Sequence, residues 1–323
     1  MTATTTRLRF GIYPGSAAGD DSGGIAAGPP DDPDRMLTAL RRLQGPARRP
    51  FLVRAYTRFH DDVDVPAMST TPTGALRLVG EGRRLDLVVQ FQSRLGDVDR
   101  YCAHLRRLIA TYGDKVSTLQ VTEEPNVVGN PTLDGDYPRV REALVAGVLS
   151  AHDEARRRGM LHLEVGCNST VLFGPDTTFV ADLVDLGGPS FIDALDYIGI
   201  DLFPDVFRPV PLADLSDVTA GLLTHHRDEV LAPAGLEHLP LHITEHGWPT
   251  GPERNVDTQA AVVEAVIDAA AAAPGVDRYT HFSLRDADTT QPGPFHRFGL
   301  MTDDYQPKPA FDTYRRLIDR LSI

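Results

Sequence analysis

Eight short apolar runs, separated by stretches of helical periodicity, restrict the fold of this chain more than any other feature. They are LRFGIY (8–13), FLVRAY (51–56), LDLVVQF (85–91), KVSTLQV (115–121), LHLEVGC (161–167), LDYIGIDLF (195–203), LPLHITE (239–245) and DRYTHFSL (277–284). Their apolarity is near-continuous rather than alternating, the pattern of strands buried on both faces. With 323 residues and 41% hydrophobic content, the chain can fill two ordinary domains or one large barrel. It shows no linker between halves and no short-period repeat. Strand–helix alternation carried through eight units predicts an α/β fold, a single (β/α)8 TIM barrel over 1–323, rather than a doubly wound sheet.

The segments between the runs carry helix signals. In 96–113, Val98, Tyr101, Cys102, Leu105, Leu108, Ile109 and Tyr112 recur at helical spacing, with Asp97 as N-cap and Gly113 as stop. In 138–159, Val140, Leu144, Val148, Leu149, His152 and Ala155 form one stripe, and arginines gather at its C-terminal end, where the helix dipole favours cations. Residues 258–274 and 308–321 repeat the pattern. The second helix, somewhere in 66–83, has the weakest signal. Residues 14–34, rich in Gly, Pro and Asp, form a long loop after the first strand, either a mobile lid or a solvated surface loop. They lack the Asp spacing of an EF-hand, so no calcium is expected there.

Charge and composition exclude several partners. The formal net charge is −13 and the pI about 5.2, with no basic patch, so a nucleic-acid partner is not expected. No stretch approaches the roughly 18 apolar residues of a membrane helix, and the N-terminus lacks a charged head followed by an apolar block. No membrane partner and a cytoplasmic location are therefore expected. The two cysteines, Cys102 and Cys167, lie inside apolar runs and read as buried free thiols. The histidines, His225 and His226 included, show no metal-ligand spacing, and neither metal nor cofactor is expected.

In a barrel of this kind the chemistry lies at the C-terminal ends of the strands. The fourth run ends in Glu123, Glu124, Pro125 and Asn126. The seventh ends in Thr244, Glu245, His246, Gly247 and Trp248. Arg54 lies on the second, Asp201 and Phe203 end the sixth, and His281 lies on the eighth. Either glutamate alone reads as a salt-bridged residue. Together they end strands that face each other across the barrel mouth. Paired carboxylates are the machinery of glycosidic bond cleavage, one protonated to donate to the leaving oxygen and one ionised. If they sit about 5–5.5 Å apart, the ionised one attacks directly and configuration is retained. An aldolase-like reading needs a Schiff-base lysine, and the only lysines, Lys115 and Lys308, end no strand.

These motifs resemble those of the clan A (4/7 superfamily) retaining glycoside hydrolases. That clan ends its fourth strand in Asn-Glu-Pro and its seventh in a glutamate, often as Thr-Glu-x-Gly-Trp-Pro. Here TEEPN aligns Glu124 with the acid/base, and ITEHGWP aligns Glu245 with the nucleophile. Arg54 is similar to the second-strand arginine that supports the nucleophile, and YIGIDLFP to the sixth-strand pattern. FGLMTDDYQPKPAFDTYRRL resembles the closing stretch in which Lys-Pro-Ala opens the last helix. The resemblance covers essentially the whole chain and implies a carbohydrate or glycoside substrate. Three positions depart from the pattern. Glu123 replaces the asparagine that bonds the sugar 2-hydroxyl, and would push the pKa of Glu124 upward. Phe203 lacks the hydroxyl of a common tyrosine. His281 stands for the eighth-strand tryptophan. These departures point to an unusual glycon, or to a carbohydrate-binding barrel with a degenerate site. Trp248 either stacks on a sugar or packs its loop. His281, in the expected register, faces the mouth and either contacts ligand or packs. Asp201 either bonds a sugar hydroxyl or holds Arg54. His246 points away from the mouth by strand alternation.

Overall fold

The structure, a computed structural model, describes residues 7–20, 22–61 and 68–323. Eight parallel strands close into a barrel: β1 (Arg9–Tyr13), β2 (Phe51–Phe59), β3 (Arg83–Phe91), β4 (Val116–Val121), β5 (Glu164–Thr170), β6 (Tyr197–Asp201), β7 (Leu241–His246) and β8 (Val276–Phe282). Each strand pairs with its sequence neighbours, and β8 closes on β1 with Arg9 opposite Arg278. All eight expected runs are strands. The fifth begins and ends three residues later than its apolar stretch, which carries the polar Asn168, Ser169 and Thr170 into the sheet.

Seven α-helices among the described residues pack outside: α1 (Pro33–Gln44), α2 (Val98–Tyr112), α3 (Val140–Arg157), α4 (Phe179–Ala194), α5 (Leu215–His225), α6 (Val256–Ala272) and α7 (Pro309–Leu321). The α2 cap is the expected one: Asp97 accepts from the Arg100 N–H, and the Gly113 N–H closes onto Ile109. The expected second helix is reduced to a 3-10 turn at Ala75–Leu78, with 62–67 outside the described residues. The barrel floor is a charge network of Arg9, Glu164, Asp277 and Arg278, with contacts of 2.7–2.8 Å. Among the described residues no helix is long and apolar enough to cross a membrane. Cys102 and Cys167 are buried free thiols, and burial pushes Cys167 up to about 12.

The loop 14–34 is not simply solvated. It carries a two-stranded ribbon, Ala18–Gly19 against Ile25–Ala26, and residues 17–20 and Ile25 line the cavity at the barrel mouth. Arg285, buried just after β8, pairs with Asp31 at 3.0 Å and pins the loop's far end. On the same side, Lys308 bonds Asp286 at 2.7 Å and Thr250 at 3.0 Å, which fastens the start of α7 to the loop after β8.

Candidate active site

At the C-terminal ends of the strands lies a cavity of about 1130 Å³. Glu123, Glu124, Asp201, Phe203 and Glu245 line it, as do Tyr13, Tyr56 and Phe282. Of the eight residues expected at the site, Arg54, Trp248 and His281 do not line it. Arg54 lies beneath the floor with no exposure. It bonds Asp86, Glu123, Gln120 and the Tyr56 hydroxyl, so it supports the site rather than touching a ligand.

The two adjacent glutamates part company at the end of β4. Thr122 and Glu124 both take positive φ, 67° and 42°. Non-glycine residues hold this strained backbone only where the surroundings fix it. Asp134, fully buried in the loop after β4, accepts the N–H of Glu123 at 2.8 Å and that of Phe91 at 2.7 Å. Asn168 on β5 accepts the N–H of Glu124 at 3.0 Å. The turn sends the Glu123 side chain down to Arg54, at 3.2 Å, and to Gln120. It leaves Glu124 at the cavity wall.

Glu245 at the end of β7 is held differently. The Tyr56 hydroxyl donates to its Oε1, and Arg54 Nε lies 3.5 Å from the same atom. Arg54 Nε in turn donates to the Tyr56 oxygen at 2.7 Å. Arg54 also pairs with Asp86, its register neighbour on β3, at 3.1 Å. Phe203 has no hydroxyl to offer, and Tyr56 from β2 gives the carboxylate one instead. Tyr56 was not among the expected residues. It stands two positions from Arg54 in FLVRAY, and side chains two apart share a strand face.

Asp201, register partner of Glu245, does not hold Arg54. It accepts from Asn168 and from Thr244, both at 2.7 Å. Asn168 thus joins Asp201 to the Glu124 backbone. Trp248 is packed in its loop: its indole N–H donates to Asp205 at 2.9 Å, and Arg254 lies over its ring at 5.1 Å. His246 faces away from the mouth, as strand alternation requires. His281 is its register partner and shares that side, 5.3 Å from the ring of Tyr314 on α7. The expected register was off by one, and the neighbouring Phe282 reaches the cavity.

Electrostatics separate the carboxylates. Glu123, Asp201 and Glu245 are buried and Glu124 half-buried in one cluster that has a single guanidinium, Arg54, so they cannot all carry charge. Burial raises Glu124 to about 8, and the charges of Glu123 and Glu245 add to the shift. Burial also raises Glu245, but Arg54 and the Tyr56 hydroxyl pull it back. Glu123 and Asp201 are pushed well above the carboxylate range, by burial first and then by neighbouring negative charge. Glu245 thus has the partners that favour its anion, whereas Glu124, raised to about 8, favours its proton at neutral pH. Oxygens of Glu123, Asp201 and Glu245 come within 4.8 Å of one another, the arrangement among the described residues that a cation would find. Arg54 already bonds or approaches two of these groups.

No protein-family model matches the chain, and no curated protein matches it. Solved structures do match in fold. A fungal β-1,4-galactanase superposes with TM-score 0.64 at 10% identity, covering 96% of this chain and 100% of that one. A family 39 glycoside hydrolase from Bacteroides cellulosilyticus WH2 gives 0.62 at 16% identity, covering 96% of this chain and 63% of that one. Plant β-glucan endohydrolases give 0.61 at 13% identity, covering 88% and 96%. The chain thus spans all of the first structure but less than two thirds of the second. At these identities the likeness is one of fold, the closed parallel barrel that these glycoside hydrolases also have.

Proposed function

We propose that this chain is a retaining glycoside hydrolase with Glu245 as nucleophile and Glu124 as acid/base. One observation carries the reading: two strand-end glutamates share a cavity but sit in opposite environments. Glu245 has a hydroxyl donor and an arginine to hold it ionised. Burial first, then neighbouring negative charge, raises Glu124 to about 8, so it holds a proton to give. In the first step a Glu245 oxygen bonds the anomeric carbon as the bond to the leaving oxygen breaks, and Glu124 gives that oxygen its proton. In the second, Glu124 takes a proton from water, the water oxygen bonds the anomeric carbon, and Glu245 leaves as carboxylate. Tyr56 and Arg54 orient Glu245; Asn168 fixes the turn that presents Glu124.

A carbohydrate-binding barrel without turnover is the second reading. It is favoured by the carboxylate of Glu123, which stands where the resembled clan has an amide. A panel of aryl glycosides, pyranosides and furanosides of both anomeric configurations, separates the two. Turnover of one glycoside by the wild type, abolished in Glu245→Gln and weakened in Glu124→Gln, supports the hydrolase. Turnover that survives in both variants refutes the carboxylate assignment. Binding of a sugar without turnover supports the second reading.

A further inference from the structure

The cavity wall is chemically divided. Strands β2 and β3 and the loop after β4 present Thr57, Arg58, Gln90, Asn130 and Thr132. The opposite wall, built after β5, β6 and β8, is mostly apolar, with Thr170 and Arg208 as polar members. A chain of aromatic rings runs along it from the carboxylates to the rim. Tyr56, bonded to Glu245, meets Tyr13 at 5.2 Å between ring centres. Tyr13 stacks on Phe282 at 5.1 Å, and Phe282 meets Phe298 at 5.7 Å. Phe298 meets Phe203 at 6.0 Å, and Phe203 meets Phe207 at 6.2 Å. Phe207 is 69% exposed. Phe173, 51% exposed and stacked on His225, stands with Val171, Val210 and Leu222 on the same side of the cavity.

We propose that the site takes an amphiphilic glycoside, its sugar on the polar wall and an apolar aglycone along the aromatic wall towards Phe173 and Phe207. This rests on the hydrolase reading and names its substrate class. A second sugar suits the aromatic wall poorly, because its ring of hydroxyls would lie against Val171, Phe173, Val210 and Leu222, none of which offers a side-chain hydrogen bond. An alkyl or aryl group loses nothing there and removes exposed apolar surface from water. Space is sufficient: the cavity of about 1130 Å³ exceeds the roughly 300–1,000 Å³ of sites that hold drug-sized ligands.

The test uses n-octyl and methyl β-D-thioglycosides of glucose, galactose and xylose, which the proposed mechanism does not readily cleave. Affinities are measured calorimetrically, below the micellar range, with the wild type and with the Phe173→Ser/Phe207→Ser double variant. Both changes fall on exposed side chains, and thermal melting checks that the fold is kept. For at least one sugar the octyl ligand binds the wild type about tenfold or more tighter than the methyl ligand, and the double variant brings that ratio towards one. Equal octyl and methyl affinities, no binding by any ligand, or a ratio unchanged in the double variant overturns the inference. The O-linked counterparts keep the two readings apart. Turnover without an octyl preference leaves the hydrolase standing and removes the apolar subsite. Octyl-dependent binding without turnover of any O-glycoside leaves the subsite and removes the hydrolase.

Discussion

Tyr56→Phe removes one oxygen and keeps the ring that packs on Tyr13. Two interactions disappear with it. Glu245 loses the hydroxyl that donates to Oε1, and Arg54 Nε loses its 2.7 Å acceptor. Arg54 remains 3.5 Å from Glu245, so the carboxylate keeps a charge partner but not its orienting donor. A hydrogen bond to a charged group contributes about 1.5–3 kcal/mol, and each factor of ten in rate corresponds to about 1.4 kcal/mol. The variant should therefore lose about ten- to a hundredfold in kcat/KM. The pH profile should move as well. Glu245 must be ionised to attack, and the lost donor favoured the ionised form, so its pKa rises and the acid limb shifts to higher pH, by about one unit for each 1.4 kcal/mol lost. The assay is initial-rate hydrolysis of the aryl glycoside that the wild type turns over, followed across pH, with urea denaturation as a check on folding. A well-folded variant with unchanged kcat/KM and an unmoved acid limb would refute the assignment of Tyr56 as the positioning group of the nucleophile.

Other consequences are independent of Tyr56. Glu124 acts as an acid only while protonated, so kcat/KM should fall as pH rises through about 8, and that alkaline limb should be absent from the residual activity of Glu124→Gln. A limb that persists in the variant assigns it to another group. Asn168→Ala strips the acceptor from the Glu124 backbone and a donor from buried Asp201, and should destabilise by about 1–3 kcal/mol in urea titrations while lowering kcat more than it raises KM. Lys308→Met leaves Asp286 buried without its cation and should cost about 3–5 kcal/mol; an unshifted denaturation midpoint would contradict the role given to that pair.

The barrel was legible because strands buried on both faces must be apolar almost throughout, and all eight runs obey this. Glu124 and Glu245 were legible because each ends such a run. Less was visible where face or distance decides. The side on which His281 lies depends on its pairing with His246 across two strands, which neither strand's own sequence carries. Asn168 was missed because the apolar run stops at Cys167 while the strand continues to Thr170. Asp134 has no pattern at all: its value lies in accepting two backbone N–H groups. Tyr56 did have a signal, the two-residue spacing from Arg54. The placement of the loop 14–34 beside the cavity depends on the Arg285–Asp31 pair, two residues 254 apart in sequence.

The assignment of Glu245 and Glu124 is tested most directly by trapping the covalent intermediate. The wild type is incubated with a series of dinitrophenyl 2-deoxy-2-fluoroglycosides, whose fluorine slows both steps while the reactive leaving group speeds only the first, so that the intermediate accumulates. Intact mass should rise by one fluoroglycosyl unit, peptide mapping should place it on Glu245, and Glu245→Gln should take up none. A label on Glu123 or Glu124, or hydrolysis that releases the inverted anomer without any covalent species, would contradict the account.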